Sequence, residues 1–272
     1  MSVTGGDSGE RAVSRTGELA DRLAAVRSRI SAACAAAGRD PAEITLIAVT
    51  KTYPASDVLA LAGLGVTNFG ENRDLEAAPK AAEVAAAFAA AGMAAPPFTD
   101  VTAPAAAGEP VTWHFVGQLQ TNKAHSVAGY ADVVHSVDRA RLVRALGAAA
   151  ATTPPGRNVA GAALICLVQV SLDADPSRGG VPADRVPEIA KAIDAEPWLA
   201  LGGLMAVAPL DADPMRAFAP LRRLSAVVRS INPSATVISA GMSGDLESAI
   251  ANGATHLRIG TALLGNRRPP VR

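Results

Sequence analysis

ITLIAVTK, residues 44–51, is the stretch from which the fold can be read. It is a short, nearly continuous aliphatic and β-branched run that ends in a lysine, the composition of a buried strand. Compact runs of the same kind recur at Val66–Phe69, Val111–Val116, Asp132–His135, Ala163–Val170, Leu201–Val207, Thr236–Ser239 and His256–Ile259, which with Ile44–Val49 makes eight. Segments of helical pattern lie between them, at Ala55–Leu64, Glu71–Ala90, Asp138–Ala150, Pro182–Asp194, Pro214–Ser230 and Ser243–Ala251. Strand and helix alternating through a whole chain predict an α/β fold with a parallel sheet. The number of units and the length fit a (β/α)8 TIM barrel, usually about 250 residues, better than the alternative, an open doubly wound sheet.

Working outward, residues 17–38 place Leu19, Leu23, Val26 and Ile30 on one helical face, and Gly38 ends the pattern, so an extra helix precedes the first strand. Residues 1–16 read as a flexible tail, and residues 17–268 as a single barrel domain. Within it, residues 91–110 form an Ala/Pro-rich insertion carrying Pro96, Pro97, Pro104 and Pro110, read as a surface loop with no catalytic role.

The 272 residues carry 25 basic and 25 acidic side chains, so no bulk charge recruits nucleic acid or a membrane. With 49% hydrophobic but only 3% aromatic residues, the core must be built from Ala, Val, Leu and Ile. The first residues lack the apolar stretch of a secretion signal, and no run reaches the roughly 18 apolar residues of a membrane span. The expectation is a cytoplasmic protein. With no heptad pattern, a monomer is expected. Cys34 and Cys166 lack CxxC spacing and read as core thiols. His114, His125, His135 and His256 fall on or near different elements without ligand spacing, so no metal is expected and core or rim roles are assigned.

In such a barrel the working groups gather where strands end, and phosphate is commonly held by the loops after the last two strands. Lys51 ends the first strand, where loss of water favours a nucleophilic amine; it is either a Schiff-base lysine or a lysine that marks a strand end. After the seventh strand, SAGMSGDLESAI places Ser243 between Gly241 and Gly244 before a helix, as an N-cap or an anion donor. After the eighth, Gly260 and Thr261 open a second loop-to-helix turn, and two anion sites after adjacent strands point to a phosphorylated ligand. Arg258 shares the strand face of Gly260, and, if buried, it needs either a structural carboxylate or an acceptor atom on a ligand. Lys123 in QTNKAH reads as a solvated lysine before a helix, with a second anion contact as the alternative.

Lys51 in VTK, FGEN at 69–72, WHFVGQLQTNK at 113–123, HSVD at 135–138, GLMAV at 203–207, GMSGD at 241–245 and RIGTALLG at 258–265 occur in an order that closely resembles the pyridoxal-phosphate homeostasis proteins, the YggS/PROSC family. The resemblance runs from about Leu19 to Asn266. It implies a barrel like the N-terminal domain of alanine racemase, with pyridoxal 5′-phosphate joined to Lys51 as a Schiff base and no established turnover. It further implies that Asn72 lies beside the cofactor's phenolic oxygen, Arg258 faces the pyridine nitrogen, and Ser243, Gly260 and Thr261 hold the phosphate. Ser239 and Met242 are implied as neighbours, and apoenzymes that require the cofactor as partners. Two departures are the long segment between Asn72 and Trp113 and Arg178, where many relatives show lysine.

A carrier is one reading; a racemase-like enzyme and a Schiff-base aldolase are the others. A racemase commonly sets a tyrosine opposite its lysine. Only Tyr53 and Tyr130 occur, and Tyr53 is too near Lys51 in sequence to reach the far face.

Overall fold

The computed structural model describes residues 6–91, 111–153, 163–173, 175 and 178–266. Apart from Ala91, the 91–110 insertion lies outside them, as do residues 1–5 of the expected tail.

The parallel strands β1 (Thr45–Val49), β2 (Asn68–Glu71), β3 (Thr112–Phe115), β4 (Val133–Val137), β5 (Leu164–Val170), β6 (Leu199–Ala206), β7 (Val237–Ser239) and β8 (His256–Ile259) close into a barrel in sequence order. Closure is made by β8 on β1, with Arg258 level with Ile47 and Ile259 with Ala48. The (β/α)8 expectation is therefore met and the doubly wound sheet excluded.

The helices are α1 (Gly6–Ala37), α2 (Ala55–Gly63), α3 (Asp74–Ala90), α4 (Ala124–Ala128), α5 (Ala140–Thr152), α6 (Val186–Asp194), α7 (Pro214–Phe218), α8 (Leu221–Ile231), α9 (Leu246–Ala251) and α10 (Thr261–Leu264). α1 packs on α2, α9 and α10. It thus occupies the place of the helix that follows the eighth strand in a regular barrel, where α10 supplies only 4 residues. Leu19, Leu23, Val26 and Ile30 are buried along its inner face, as their spacing predicts, and Gly38, at φ 65°, ends it.

The first helix begins inside the stretch read as a tail. From Gly6 onward the backbone is helical, and within that stretch Arg15 is tied down by hydrogen bonds of 3.2 and 2.7 Å to the Asp57 carboxylate on α2. The sequence offers no proline there to stop the helix from extending backward.

Two further differences have physical causes. Glu71 ends β2 instead of opening a helix, because its buried carboxylate accepts from Thr50 Oγ1 at 2.7 Å and from Lys80 Nζ, on α3, at 2.6 Å. The helical pattern over Pro214–Ser230 is broken into α7 and α8 at Pro220, which has no N–H to continue the ladder.

Candidate functional site at the barrel mouth

Strand pairing places Thr45, Ile47 and Val49 of β1, Asn68 and Gly70 of β2, Thr112 and His114 of β3, and His256 and Arg258 of β8 on one face of the sheet. That face is the barrel interior. Val133, Leu167, Met205 and Val237 form an apolar cluster on the side of β4 to β7, so the interior is apolar on one side and polar on the other.

Lys51 lies two residues past the end of β1 and is half-buried. No described residue pairs with its ammonium. The backbone on either side of it is held: Lys80 Nζ donates to Thr50 O at 2.8 Å, and Thr52 sits at φ 69°, in the left-handed region, with its N–H on Glu76 Oε2 at 3.3 Å. A non-glycine residue pays a steric cost there, so the turn that presents Lys51 is imposed by its surroundings.

Asn72 follows β2, and its Oδ1 is buried with no partner among the described residues. Its backbone is pinned by Gly117, where a Cβ would lie 2.2 Å from Asn72 O. Only glycine fits there, and the sequence reading gave Gly117 no role. Ser136, at the register shift in β4, likewise has a buried, unpartnered hydroxyl.

Arg258 is 5% exposed and forms no ion pair with a described carboxylate; its guanidinium donates to Ser239 Oγ at 2.6 Å and to Ala206 O at 2.9 Å. Burial pushes it down to about 10, partly opposed by Asp245. It therefore stays charged at neutral pH. Of the two partners left open by the sequence, the structural carboxylate is absent among the described residues.

Ser243 is not the N-cap of α9; that position falls on Asp245. Instead Ser243 Oγ accepts from the backbone N–H of Ala262 at 3.1 Å, stitching the loop after β7 to the first turn of α10. Arg29 of α1 grips the same loop, donating to Ser243 O at 3.1 Å and pairing with Glu247 at 2.8 Å. With 6 and 4 residues, α9 and α10 are too short to supply much helix dipole, so what these loops offer an anion is backbone N–H groups and hydroxyls.

Gly260 contrasts with its neighbour Gly241. A Cβ at Gly241 would strike Ala249 Cβ at 2.6 Å, whereas at Gly260 it would meet only Val49, at 3.6 Å or more. Protein packing does not demand the second glycine. Thr261 is exposed beside it, and Met242 is 37% exposed on the loop after β7.

The residues expected from the sequence thus fall at or near the mouth ends of four consecutive staves, β7, β8, β1 and β2. The Ser239 hydroxyl is engaged inside the protein by Arg258 and by His135 Nδ1 at 3.0 Å. Arg178 ties loops at the same end of the barrel, donating to Ala208 O at 2.7 Å and pairing with Asp173 at 3.1 Å. Lys123 pairs with Asp74 at 3.6 Å. Among the described residues no cluster of His, Cys, Asp or Glu is placed to hold a metal, and no helix is long and apolar enough to cross a membrane. Cys34 and Cys166 are buried and unbridged.

Among the described residues, three features fit pyridoxal 5′-phosphate: an unpaired amine, an orphaned Asn72 side-chain carbonyl, and a buried guanidinium without a carboxylate. Barrel and site together define the class. Residues 22–268 match the family described as alanine racemase, N-terminal domain. The alanine racemase of Corynebacterium glutamicum shares the fold at a TM-score of 0.61 and 14% identity, over 93% of this chain and 62% of that one.

Closer relatives narrow the class. The pyridoxal phosphate homeostasis protein of Mycobacterium tuberculosis is 44% identical over 257 residues, 93% of this chain and 95% of its own length. PipY of Synechococcus elongatus PCC7942, solved with PLP bound, superposes at a TM-score of 0.70 with 30% identity, over 91% of this chain and all of that one. The chain belongs to the pyridoxal phosphate homeostasis protein family.

Proposed function

We propose that this protein binds pyridoxal 5′-phosphate through a Schiff base on Lys51 and serves vitamin B6 homeostasis without catalytic turnover. The observation that carries the reading is the half-buried, unpaired Lys51 amine on a stave next to one whose buried Arg258 lacks a carboxylate. When bound, the cofactor supplies an aldehyde that condenses reversibly with a primary amine, releasing water, and a conjugated ring that can withdraw electrons.

Each site residue then has a task. Lys51 is the nucleophile. Asn72 orients the phenolic oxygen, and Arg258 donates toward the ring nitrogen while its charge disfavours protonation there, which weakens the ring as an electron sink. Ser243, Thr261 and the backbone at Gly260 hold the phosphate, with Met242 and Ser239 close by. The homologue solved with PLP and the homeostasis proteins in the family support the choice of cofactor.

Neither tyrosine favours the racemase-like alternative as its second base. Tyr53 donates its hydroxyl to Gly265 O at 2.7 Å, and burial raises the Tyr130 phenol. The buried, unbridged thiols agree with a cytoplasmic location. In this reading the protein acts as a monomer, and apoenzymes that need the cofactor are its recipients.

The test is an absorbance spectrum of the protein with pyridoxal 5′-phosphate, before and after borohydride, followed by peptide mapping. The expected result is a visible band that borohydride bleaches, with the mass increment on Lys51, and a folded Lys51→Ala variant that traps nothing. An adduct on another lysine contradicts the assignment. A substrate-trapping Lys51 with no visible band would favour the aldolase.

A further inference from the structure

A line of hydrogen bonds crosses the barrel interior from Arg258 to the start of β2. Arg258 meets Ser239 Oγ at 2.6 Å, Ser239 Oγ meets His135 Nδ1 at 3.0 Å, His135 Nε2 meets His114 Nδ1 at 2.8 Å, and His114 Nε2 meets Asn68 Oδ1 at 2.9 Å. The Asn68 amide then donates to Thr67 Oγ1 at 3.1 Å. The histidine pair is 1% and 0% exposed, with the rings edge-on.

The direction of every link follows from the two ends: the Arg258 guanidinium can only donate, and the Asn68 amide nitrogen donates to Thr67, which leaves Asn68 Oδ1 to accept. A guanidinium can only donate, so the Ser239 oxygen accepts from Arg258 and its proton goes to His135 Nδ1. A neutral imidazole that accepts at Nδ1 carries its proton on Nε2, so His135 donates to His114 Nδ1. By the same logic His114 Nε2–H donates to Asn68 Oδ1. The opposite order would give the Ser239 oxygen two donors and leave its own proton without an acceptor. Burial holds both imidazoles well below their ordinary value, in agreement with neutral rings.

We propose that His135 and His114 are positioning residues for Arg258: as neutral rings protonated on Nε2, they turn the Ser239 lone pairs toward the guanidinium and so hold its remaining N–H groups toward the ligand. The inference rests on the reading that Arg258 contacts pyridoxal 5′-phosphate. Without an acceptor at His135 the Ser239 proton is free to turn toward the cation, and the guanidinium loses one of its two protein anchors. Ala206 O, the other anchor, fixes one nitrogen but not the plane of the group.

The hydrogen-bond order is tested without any ligand, by ¹⁵N NMR of the histidines at neutral pH. The expected result is a protonated Nε2 and a bare Nδ1 on both His114 and His135; an Nδ1–H tautomer or an imidazolium on either ring overturns the proposal. The second arm compares His135→Leu with His135→Gln in equilibrium dialysis against pyridoxal 5′-phosphate. Gln keeps one acceptor and one donor in sequence, whereas Leu keeps neither. Leu should weaken retention about tenfold and Gln by much less, the size expected for one hydrogen bond to a charged group.

Where His135→Leu does not fold, the His114→Leu and His114→Gln pair is read in the same way. Equal losses for Leu and Gln, or no loss for either, overturn the positioning role while the borohydride adduct of the unsubstituted protein stands. If the unsubstituted protein forms no adduct, the cofactor reading itself fails, and with it the ligand part of this inference.

Discussion

One of the two readings of Ser243 does not survive the structure. The sequence singles it out as a helix cap or an anion donor; it is not the cap of α9, and its oxygen accepts from Ala262 N–H, joining the loop after β7 to α10. Its hydroxyl proton remains available to an anion. Ser243→Ala should therefore weaken retention of pyridoxal 5′-phosphate about tenfold, with a smaller effect on unphosphorylated pyridoxal, since only the first needs a donor at the phosphate. Equal losses in parallel dialysis measurements would remove Ser243 from the phosphate site.

Lys51, Ser243, Arg258, Gly260 and Thr261 could be picked out in the sequence because each stands just before or after a strand end, whereas Asn72 was given only by the family resemblance. The partners of Arg258 could not. Ser239, His135, His114 and Asn68 lie on four strands, and only the register of those strands shows that their side chains share one interior. The alternation of side chains along each strand would give their faces, but the strand offsets that bring His135 to Ser239, 104 positions away, are not written locally.

Among the elements, all eight strands and most helices were legible, because apolar runs alternate with helical periods throughout. The boundary between β2 and α3 was not. Glu71 looks like the acidic first turn of a helix, yet it ends the strand because Lys80, one helix further on, neutralises it inside the layer between sheet and helix. Burial raises the Glu71 carboxyl, and Lys80 opposes that shift.

The pair braces the carbonyl that precedes Lys51, so its removal acts on both stability and site. Lys80→Met leaves Glu71 buried without its cation and should cost about 3–5 kcal/mol in denaturant unfolding, with the Glu71→Gln, Lys80→Met double variant recovering most of the loss. An unchanged midpoint for the single variant would show that the pair does not carry the strand end. The role of α1 as the barrel's missing eighth helix was also hidden: its apolar face is plain in the sequence, but its partners α9 and α10 lie at the other end of the chain.

At the scale of the whole molecule, burying neutral histidines links stability to pH. As pH falls through the ordinary value of 6.5, imidazoles of the unfolded chain take up protons that His114 and His135 in the folded barrel refuse. The unfolded state then binds more protons, so stability falls with falling pH, by about 1.4 kcal/mol per pH unit for each imidazole, until the lowered folded values are reached. At higher pH both states are neutral and the contribution vanishes. Urea unfolding from about pH 7.5 to about pH 5 should show a shallower loss for the His114→Gln, His135→Gln double variant than for the unsubstituted protein. Identical slopes would mean that the two rings are not held neutral.

The barrel as a whole brings the first and last staves together, and the central claim is that an aldehyde is held between them. A crystal structure of the protein with pyridoxal 5′-phosphate tests this most directly. The account predicts continuous density from Lys51 Nζ into the ring, the ring nitrogen against Arg258, and the phosphate within hydrogen-bond reach of Ser243 and Thr261. Density attached to a different lysine, or a phosphate seated away from the loops after β7 and β8, would contradict it.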